Sequence, residues 1–235
     1  DFKRNPYYFK VDPEGNQSPY IDKQQYVDIQ DQKVRLMKCM SGEIDFDVGM
    51  MFSTSNFPVL RQNAEEGNYH VIEGRMSGLN GAAIALACNQ NYLDVAETEK
   101  EKAIGKLLRN TKFRRALSVA INRQEVNEFV YLGMAKARQS VLNSAHPAME
   151  DEFAKRYTEY DPDQAREWLN EIGLDQKDEK GWRTLPDGSS FQITIPARST
   201  KNMRVDAGQV IARNLQKVGL NVKSEAVQNN LFLQR

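Results

Sequence analysis

Three carboxylates lie close together in this sequence and could form a catalytic acid and base. Glu43, Asp45 and Asp47 belong to the segment Gly42–Val48, in which apolar and acidic residues alternate. This alternation predicts a half-buried strand on which Asp45 and Asp47 share one face. Paired carboxylates can exchange protons with a substrate during hydrolysis. We favour the solvated face of a sheet as the interpretation, and a carboxylate-dependent hydrolase stays open as the alternative.

The histidines and cysteines do not form a pattern that predicts a metal site. His70 and His146 are far apart, and neither has a Cys, His or Asp at the spacing of zinc ligands. Cys39 and Cys88 are too few for a disulfide scaffold, and we interpret them as buried free thiols. The sequence contains no P-loop, no dinucleotide fingerprint and no Gly-x-Ser-x-Gly motif. We therefore predict no catalytic residue, no bound metal and no cofactor.

Charge and hydropathy limit the possible partners. The 32 basic and 32 acidic residues give a formal net charge of zero. A chain without an excess of positive charge has no long-range field to attract nucleic acid, so we predict no nucleic-acid partner. Hydrophobic residues make up 40% of the chain, and no apolar run is long enough to span a bilayer. The length of 235 residues is enough for two modest lobes or one large domain.

The order of helix and strand patterns predicts an α/β fold. Helical spacing of apolar residues is found at Gln30–Met40, Asn56–Gly67, Glu97–Leu108, Phe113–Ile121, Tyr160–Gly173 and Val205–Val218. Strand alternation is found at Ile44–Val48, Tyr69–Glu73, Phe191–Ile195 and Leu220–Ala226. Asn122 and Glu125 have the spacing of a capping box at the start of another helix. The last strand, helix and strand predict a parallel pair joined by a crossover.

The segment Tyr160–Gly188 carries the most specific signal. Asp161 can cap a helix, Pro162 suits its first turn, and Gly173 can end it. The helix between them has one apolar face, formed by Ala165, Trp168, Leu169 and Ile172. Two polar turns follow. The order of these pieces resembles one family, the family 5 extracellular solute-binding proteins of ABC transporters, which is the oligopeptide, dipeptide and nickel-binding group.

Four other blocks carry the same resemblance. They are Asn5–Asp22, Leu36–Gly49, Lys112–Ser140 and Val210–Glu225, and they follow the order of the family along nearly the whole chain. Phe9 stands where these proteins usually have Trp. The resemblance implies the two-lobed, type II fold of periplasmic binding proteins, here incomplete. Family members are far longer, so the chain is expected to be a fragment that lacks N-terminal and C-terminal parts.

The resemblance also implies where the lobes divide. Ala82–Ala87 alone could be helix or strand, but in the family it is a strand that leads into the crossover between lobes. We therefore expect residues 1–91 to belong to the first, sheet-rich lobe. Residues 92–235 are expected to belong to the second lobe.

The function implied is that of the substrate-binding component of an ABC importer. Such a protein captures an oligopeptide or similar solute between its lobes and delivers it, unchanged, to the membrane permease. An oligosaccharide is the alternative ligand within the same family. The resemblance further implies a monomeric lipoprotein that is periplasmic or extracellular and is anchored to the membrane in its full-length form. The function is therefore expected to be binding rather than catalysis.

The expected ligand-binding residues lie at the crossover and in the loops that face it. They are Arg75, Ser77, Asn80, Asn89, Gln90, Asn91, Arg138 and Gln139. Tyr92 and Phe52 near the asparagines would suit a sugar, whereas Arg75 and Arg138 would suit a carboxylate. The sequence does not decide between the two ligands.

Overall fold

The computed structural model describes residues 1–47, 56–72, 84–141, 147–199 and 202–234. The chain divides into two units, Asp1–Val71 and Ile72–Arg235. They are called unit 1 and unit 2 below. Most of the buried apolar side chains of the described residues belong to unit 2.

Unit 1 has little buried core. It contains two short antiparallel strands and two helices, namely β1 (Phe2–Lys3), β2 (Lys23–Gln24), α1 (Gln32–Met40) and α2 (Phe57–Gln62). The carboxylate of Asp31 caps α1 by accepting hydrogen bonds from the backbone N–H groups of Lys33 and Val34. Leu60 is the only buried residue among the described positions of this unit. Local hydrogen bonds such as this cap therefore define unit 1 more than burial does.

The strand predicted at Ile44–Val48 is wrong for the part that the structure describes. Residues 44–47 lie in no strand. Phe46 is 79% exposed, whereas the side chain of Asp47 is only 9% exposed and forms an ion pair with Arg35. This is the reverse of the predicted arrangement, because the ion pair directs the acidic side chain inward and leaves the apolar one in solvent.

Two further predicted strands, Tyr69–Glu73 and Ala82–Ala87, are also not found. Their described parts, residues 69–72 and 84–87, lie in no strand. Both are short apolar runs, and a run of this kind becomes a strand only when a neighbouring strand pairs with it. The described residues provide no such partner for either run.

Unit 2 consists mainly of helices, with one pair of parallel strands. Its helices are a 3-10 helix at Tyr92–Val95, α3 (Glu99–Arg109), α4 (Thr111–Ala120), α5 (Arg123–Tyr131), α6 (Asp151–Lys155), α7 (Pro162–Glu171), α8 (Asn202–Lys217) and α9 (Asn229–Gln234). Its strands are β3 (Ile193–Arg198) and β4 (Val222–Val227). The helices predicted in this part of the chain are confirmed, with their ends shifted by a few residues.

The strands β3 and β4 and the helix α8 form the strand–helix–strand arrangement that the sequence predicted. The two strands are parallel, in a register that begins with Ile193 opposite Val222, and α8 packs on both of them. Gly208 makes the close approach possible, because a Cβ atom at this position would lie 2.6 Å from Oγ of Ser224. The predicted α/β character is thus confirmed in unit 2.

The core of unit 2 forms where α4 packs against α7. The predicted apolar face of α4 is buried, including Phe113, Ala116, Leu117 and Ala120. In α7, Ala165 and Leu169 are fully buried. Trp168 is half-buried at the edge of this core and packs edge-to-face on Tyr157, with 6.2 Å between the ring centres. The predicted apolar face of α7 is therefore confirmed, although its tryptophan lies at the edge.

Arg183 is buried where α7 and α8 end, and it is only 4% exposed. Its Nε donates to the carbonyl oxygen of Val218 at 2.8 Å, and its Nη1 donates to Oδ1 of Asn170 at 2.6 Å and to the carbonyl oxygen of Leu174. Burial lowers the pKa of this guanidinium. Because the carboxyl end of a helix carries partial negative charge, this cation stabilises the ends of both helices.

The predicted lobes, 1–91 and 92–235, stay a prediction. Leu86 and Cys88 precede the predicted boundary, and both pack against the core of unit 2. The two units of the chain divide after Val71. The lobes of the prediction belong to a longer protein, so the division of this chain into units does not test them.

Candidate functional site

Three of the predicted ligand-binding residues form one exposed turn. Asn89, Gln90 and Asn91 are all exposed and lead into the 3-10 helix. Oδ1 of Asn89 accepts a hydrogen bond from the backbone N–H of Asn91 at 3.1 Å, and its carbonyl oxygen accepts one from Tyr92 at 3.4 Å. The turn therefore presents the side-chain amides of Gln90 and Asn91 to solvent.

This turn is fixed to α3 by Arg109 and by close backbone packing. Nε of Arg109 donates to the carbonyl oxygen of Gln90 at 2.6 Å, and its Nη2 donates to Oδ2 of Asp94 at 2.6 Å. Gly105 of α3 lies against Leu93, because a Cβ atom on this glycine would be 2.7 Å from Cα of Leu93. The polar turn is thus carried by a helix that cannot shift without breaking these contacts.

The other described pair, Arg138 and Gln139, lies in the loop between α5 and α6, and both residues are half-buried. Nε2 of Gln139 donates to Oγ of Ser118 at 2.8 Å and to the carbonyl oxygens of Arg156 at 2.8 Å and Tyr157 at 3.2 Å. The amide nitrogen of Gln139 is therefore occupied by contacts within the protein. The predicted contact of Gln139 with a ligand would then use the oxygen of its side-chain amide.

The start of this loop is also held in place. Leu132 and Gly133 adopt left-handed backbone conformations, with φ of 53° and 78°. Asn127 accepts a hydrogen bond from the backbone N–H of Gly133 at 3.1 Å and another, through Oδ1, from that of Ala135 at 2.8 Å. The loop therefore leaves α5 through a hydrogen-bonded turn.

Arg75, Ser77 and Asn80 lie outside the described residues, so their predicted role stays a prediction. Of the remaining predicted residues, the structure joins Asn89–Asn91 in one turn and places Arg138 and Gln139 in one anchored loop. Both segments belong to unit 2.

Reasoning from the sequence missed the residues that hold these segments, chiefly Arg109 and Ser118. Arg109 lies in the last turn of an ordinary charged helix, where nothing in the sequence distinguishes it from a solvated residue. Ser118 gave a weak signal, because it is a small polar residue within the apolar pattern Phe113–Ile121. A polar residue in such a position is expected to have hydrogen-bond partners inside the protein.

Two of the three carboxylates that could have acted in catalysis, Glu43 and Asp47, are engaged in ion pairs. Asp47 accepts hydrogen bonds from Nε of Arg35 at 3.0 Å and from its Nη2, and Sγ of Cys39 lies 3.5 Å from Oδ2 of the same carboxylate. Burial, followed by the nearby Asp47 carboxylate, raises the pKa of Cys39 to about 11. Lys38, at 2.6 Å, lowers the pKa of Glu43. A lowered pKa is the opposite of what Glu43 would need to act as a general acid.

The part of the chain that the structure describes holds neither a cluster of metal ligands nor a helix suited to a bilayer. No group of three or more His, Cys, Asp or Glu side chains in the described ranges is arranged to hold an ion. The described helix α8 has 16 residues, and no helix of the described part is both long and apolar enough to cross a membrane. Cys39 and Cys88 are free thiols, each half-buried.

Comparison with known proteins matches the chain along its whole length. The family described as bacterial extracellular solute-binding proteins, family 5 Middle, matches residues 1–235. Among solved structures, the oligopeptide-binding protein OppA is 35% identical to this chain with a TM-score of 0.71, and the match covers 99% of this chain and 36% of that chain.

Two curated relatives agree with this assignment. The periplasmic alpha-galactoside-binding protein of Rhizobium meliloti strain 1021 is 25% identical over 233 residues, which are 96% of this chain and 32% of that protein. The oligopeptide-binding protein AppA of Bacillus subtilis strain 168 is 25% identical over 214 residues, which are 89% of this chain and 34% of that protein. This chain spans about a third of the length of these relatives.

The match over residues 1–235, together with the structural likeness along 99% of the chain, shows a part of the fold of the periplasmic binding proteins. This chain belongs to the bacterial extracellular solute-binding proteins of family 5.

Proposed function

We propose that this chain is part of the substrate-binding component of an ABC importer, which captures an oligopeptide between two lobes and delivers it to a membrane permease. The observation that carries the proposal is membership of family 5 over residues 1–235. The identity of 35% to an oligopeptide-binding protein along 99% of the chain favours a peptide as the ligand.

An oligosaccharide is the second candidate ligand. It is favoured by the alpha-galactoside-binding relative, whose match covers 96% of this chain. The exposed amides of Gln90 and Asn91 can donate to and accept from sugar hydroxyls, and the ring of Tyr92 offers an apolar surface next to them. The guanidinium of Arg138 is better suited to the carboxylate of a peptide.

The ligand contacts that we propose follow from these chemical roles. The turn Asn89–Asn91 supplies amide groups from a segment fixed to α3, and Arg138 supplies a cation from the loop after α5. Gln139 acts mainly through its hydrogen bonds to the protein, which hold this loop in place. Arg75, Ser77 and Asn80 are proposed as further contacts in the segment that precedes the turn.

We also propose that the ligand leaves unchanged and that the protein is not an enzyme. The carboxylate of Asp47, the most buried of the three candidates, is held by Arg35, and that of Glu43 by Lys38. The carboxylate of Glu43, whose pKa is lowered by Lys38, is a weak proton donor near neutral pH. This supports binding without turnover.

The partners and location proposed for the full-length protein are those of a binding protein that works outside the cytoplasmic membrane. It is a monomer, is periplasmic or extracellular, is anchored to the membrane and docks on permease subunits. Nucleic acid is not among its partners, since the net charge of this chain is zero.

A thermal-shift titration of the full-length protein with trialanine and with stachyose tests the function. A ligand that binds only the folded state raises the melting temperature in proportion to the logarithm of its concentration. A shift with trialanine supports the peptide proposal, and a shift with stachyose alone replaces it with the oligosaccharide alternative. Hydrolysis of either compound by the purified protein would contradict the binding-protein proposal.

A further inference from the structure

The hydroxyl group of Ser118, near the end of α4, joins three separate segments of unit 2. Its Oγ donates to the carbonyl oxygen of Tyr157 at 2.7 Å. The same oxygen accepts from Nη2 of Arg123 at 2.8 Å and from Nε2 of Gln139 at 2.8 Å. A serine hydroxyl has one donor and two acceptor positions, so all of its capacity is used by protein groups.

The loop that carries Arg138 is attached mainly through the next residue, Gln139. In addition to its bond with Ser118, Nε2 of Gln139 donates to the carbonyl oxygen of Arg156 at 2.8 Å, and its backbone N–H donates to that of Ala154 at 2.8 Å. These bonds tie the loop to α4 on one side, and to α6 and the residue that follows it on the other. Arg138 is therefore followed directly by a residue that is fixed on both sides.

Arg123 strengthens the same junction. Its Nη1 donates to the carbonyl oxygens of Ser118 at 2.9 Å and Thr158 at 3.4 Å. Burial lowers the pKa of this guanidinium, and the charge of Glu159 opposes that effect. Hydrogen bonds from a charged donor are stronger than those between neutral groups, so the serine oxygen is held firmly in its acceptor role.

We propose that Ser118 is a positioning residue for ligand binding: its hydroxyl holds Gln139, and through it the loop of Arg138, in the conformation that meets the ligand. The inference rests on the proposed function and assigns a role to a residue that does not itself contact the ligand. Replacement of Ser118 by Ala would leave the amide of Gln139 and one donor of Arg123 without this partner. The loop would then sample other conformations, and binding would require ordering it again.

The test uses the full-length protein with Ser118→Ala and the conservative variant Ser118→Thr, which keeps a hydroxyl group. Hydrogen exchange is measured on peptides that cover Gln139 and, as an internal reference, Ala135, whose N–H is bonded to Asn127 instead. We expect faster exchange at Gln139 in Ser118→Ala, little change at Ala135, and wild-type exchange in Ser118→Thr. Unchanged exchange at Gln139 would overturn the positioning role.

Affinity is measured by calorimetry with trialanine or stachyose, whichever raises the melting temperature of the wild type. We expect Ser118→Ala to bind about tenfold more weakly and Ser118→Thr to bind like the wild type. The control is Arg183→Met, which removes a buried hydrogen-bonding side chain that lies at the ends of α7 and α8. An equal loss of affinity in this control, or no loss in Ser118→Ala, would overturn the inference.

A second single variant and a double variant complete the test of Ser118. If Ser118→Ala does not fold, Gln139→Met removes the same hydrogen bond from the other side, together with the bonds to Arg156 and Tyr157, and is expected to give a loss at least as large. The double variant is expected to bind no more weakly than Gln139→Met alone, because that change already removes the contact between Gln139 and Ser118. If neither probe shifts the wild-type melting temperature, the proposed function fails, and hydrogen exchange alone decides whether Ser118 positions the loop.

Discussion

Replacement of Arg183 by Met tests how unit 2 is held together. Arg183→Met keeps a long side chain in the buried space but removes the donors to Val218, Leu174 and Asn170. The first two acceptors belong to residues that are 2% and 0% exposed, so water cannot replace the lost donor easily. The change therefore leaves two buried carbonyl groups without a partner.

The expected loss of stability follows from these two carbonyl groups. A buried acceptor left without a donor costs about 1 to 3 kcal/mol, which gives a range of about 2 to 6 kcal/mol for the pair. Part of this loss is offset, because the variant no longer has to remove a charged guanidinium from water when it folds. We predict a net loss of about 3 kcal/mol in the free energy of unfolding.

Urea denaturation followed by tryptophan fluorescence measures this loss, because both tryptophans, Trp168 and Trp182, belong to unit 2. The matched control is Arg166→Met, which changes an arginine of α7 whose side chain is 42% exposed. We expect the control to lose less than about 0.5 kcal/mol. If Arg183→Met loses under about 1 kcal/mol, or no more than the control, the reasoning about the buried cation is wrong.

Three further predictions concern single side chains. Trp168→Ala should lower the free energy of unfolding by about 2 to 3 kcal/mol, which is less than for a fully buried tryptophan because this side chain is half-buried. A loss under about 1 kcal/mol, measured by urea denaturation, would place Trp168 at the surface. Asn214→Ala should lower the free energy of unfolding by about 2 to 3 kcal/mol, because this side chain is 0% exposed and links α5 and α8 by hydrogen bonds. A melting temperature equal to that of the wild type would contradict this prediction. Since burial and Asp47 raise the pKa of Cys39 to about 11, alkylation of this thiol by iodoacetamide at pH 8 should be slow, and Asp47→Asn should accelerate it. The reaction is followed by mass spectrometry in a Cys88→Ser background, and an unchanged rate would refute the role of the carboxylate.

Much of the helical structure could be predicted because its signals are local. The face of α7 needs only residues three and four apart, and its cap needs only Asp161 and the next turn. The parallel pair β3 and β4 could also be predicted, because the helix between them determines the connection. These elements form most of unit 2.

The strand predicted at Ile44–Val48 failed for a non-local reason. The alternation is present in the sequence, but Arg35, which lies in the preceding helix α1, pairs with Asp47, and Phe46 is left in solvent. Alternation indicates which residues share a face, but not whether another strand is present to pair with it. That information lies elsewhere in the chain.

The contacts that hold the candidate site could not be predicted, for the same reason. The polar character of Asn89–Asn91 can be read directly from the sequence, but the contact that fixes the turn comes from Arg109, 19 residues later. Gln139 was predicted as a ligand contact from its position in a loop. That role stays a prediction, and no local pattern could show that the side-chain nitrogen of Gln139 is bonded to Ser118.

Native mass spectrometry of the full-length protein, purified gently from its host, tests the proposed function most directly. We predict additional mass on the intact protein from a retained small ligand, which is released unchanged when the protein unfolds. A series of peptide masses would identify an oligopeptide, and regular hexose steps would identify an oligosaccharide. An intact protein that carries no ligand and whose melting temperature is unchanged by trialanine and stachyose, or one that releases only hydrolysed fragments of what it bound, would contradict the proposal.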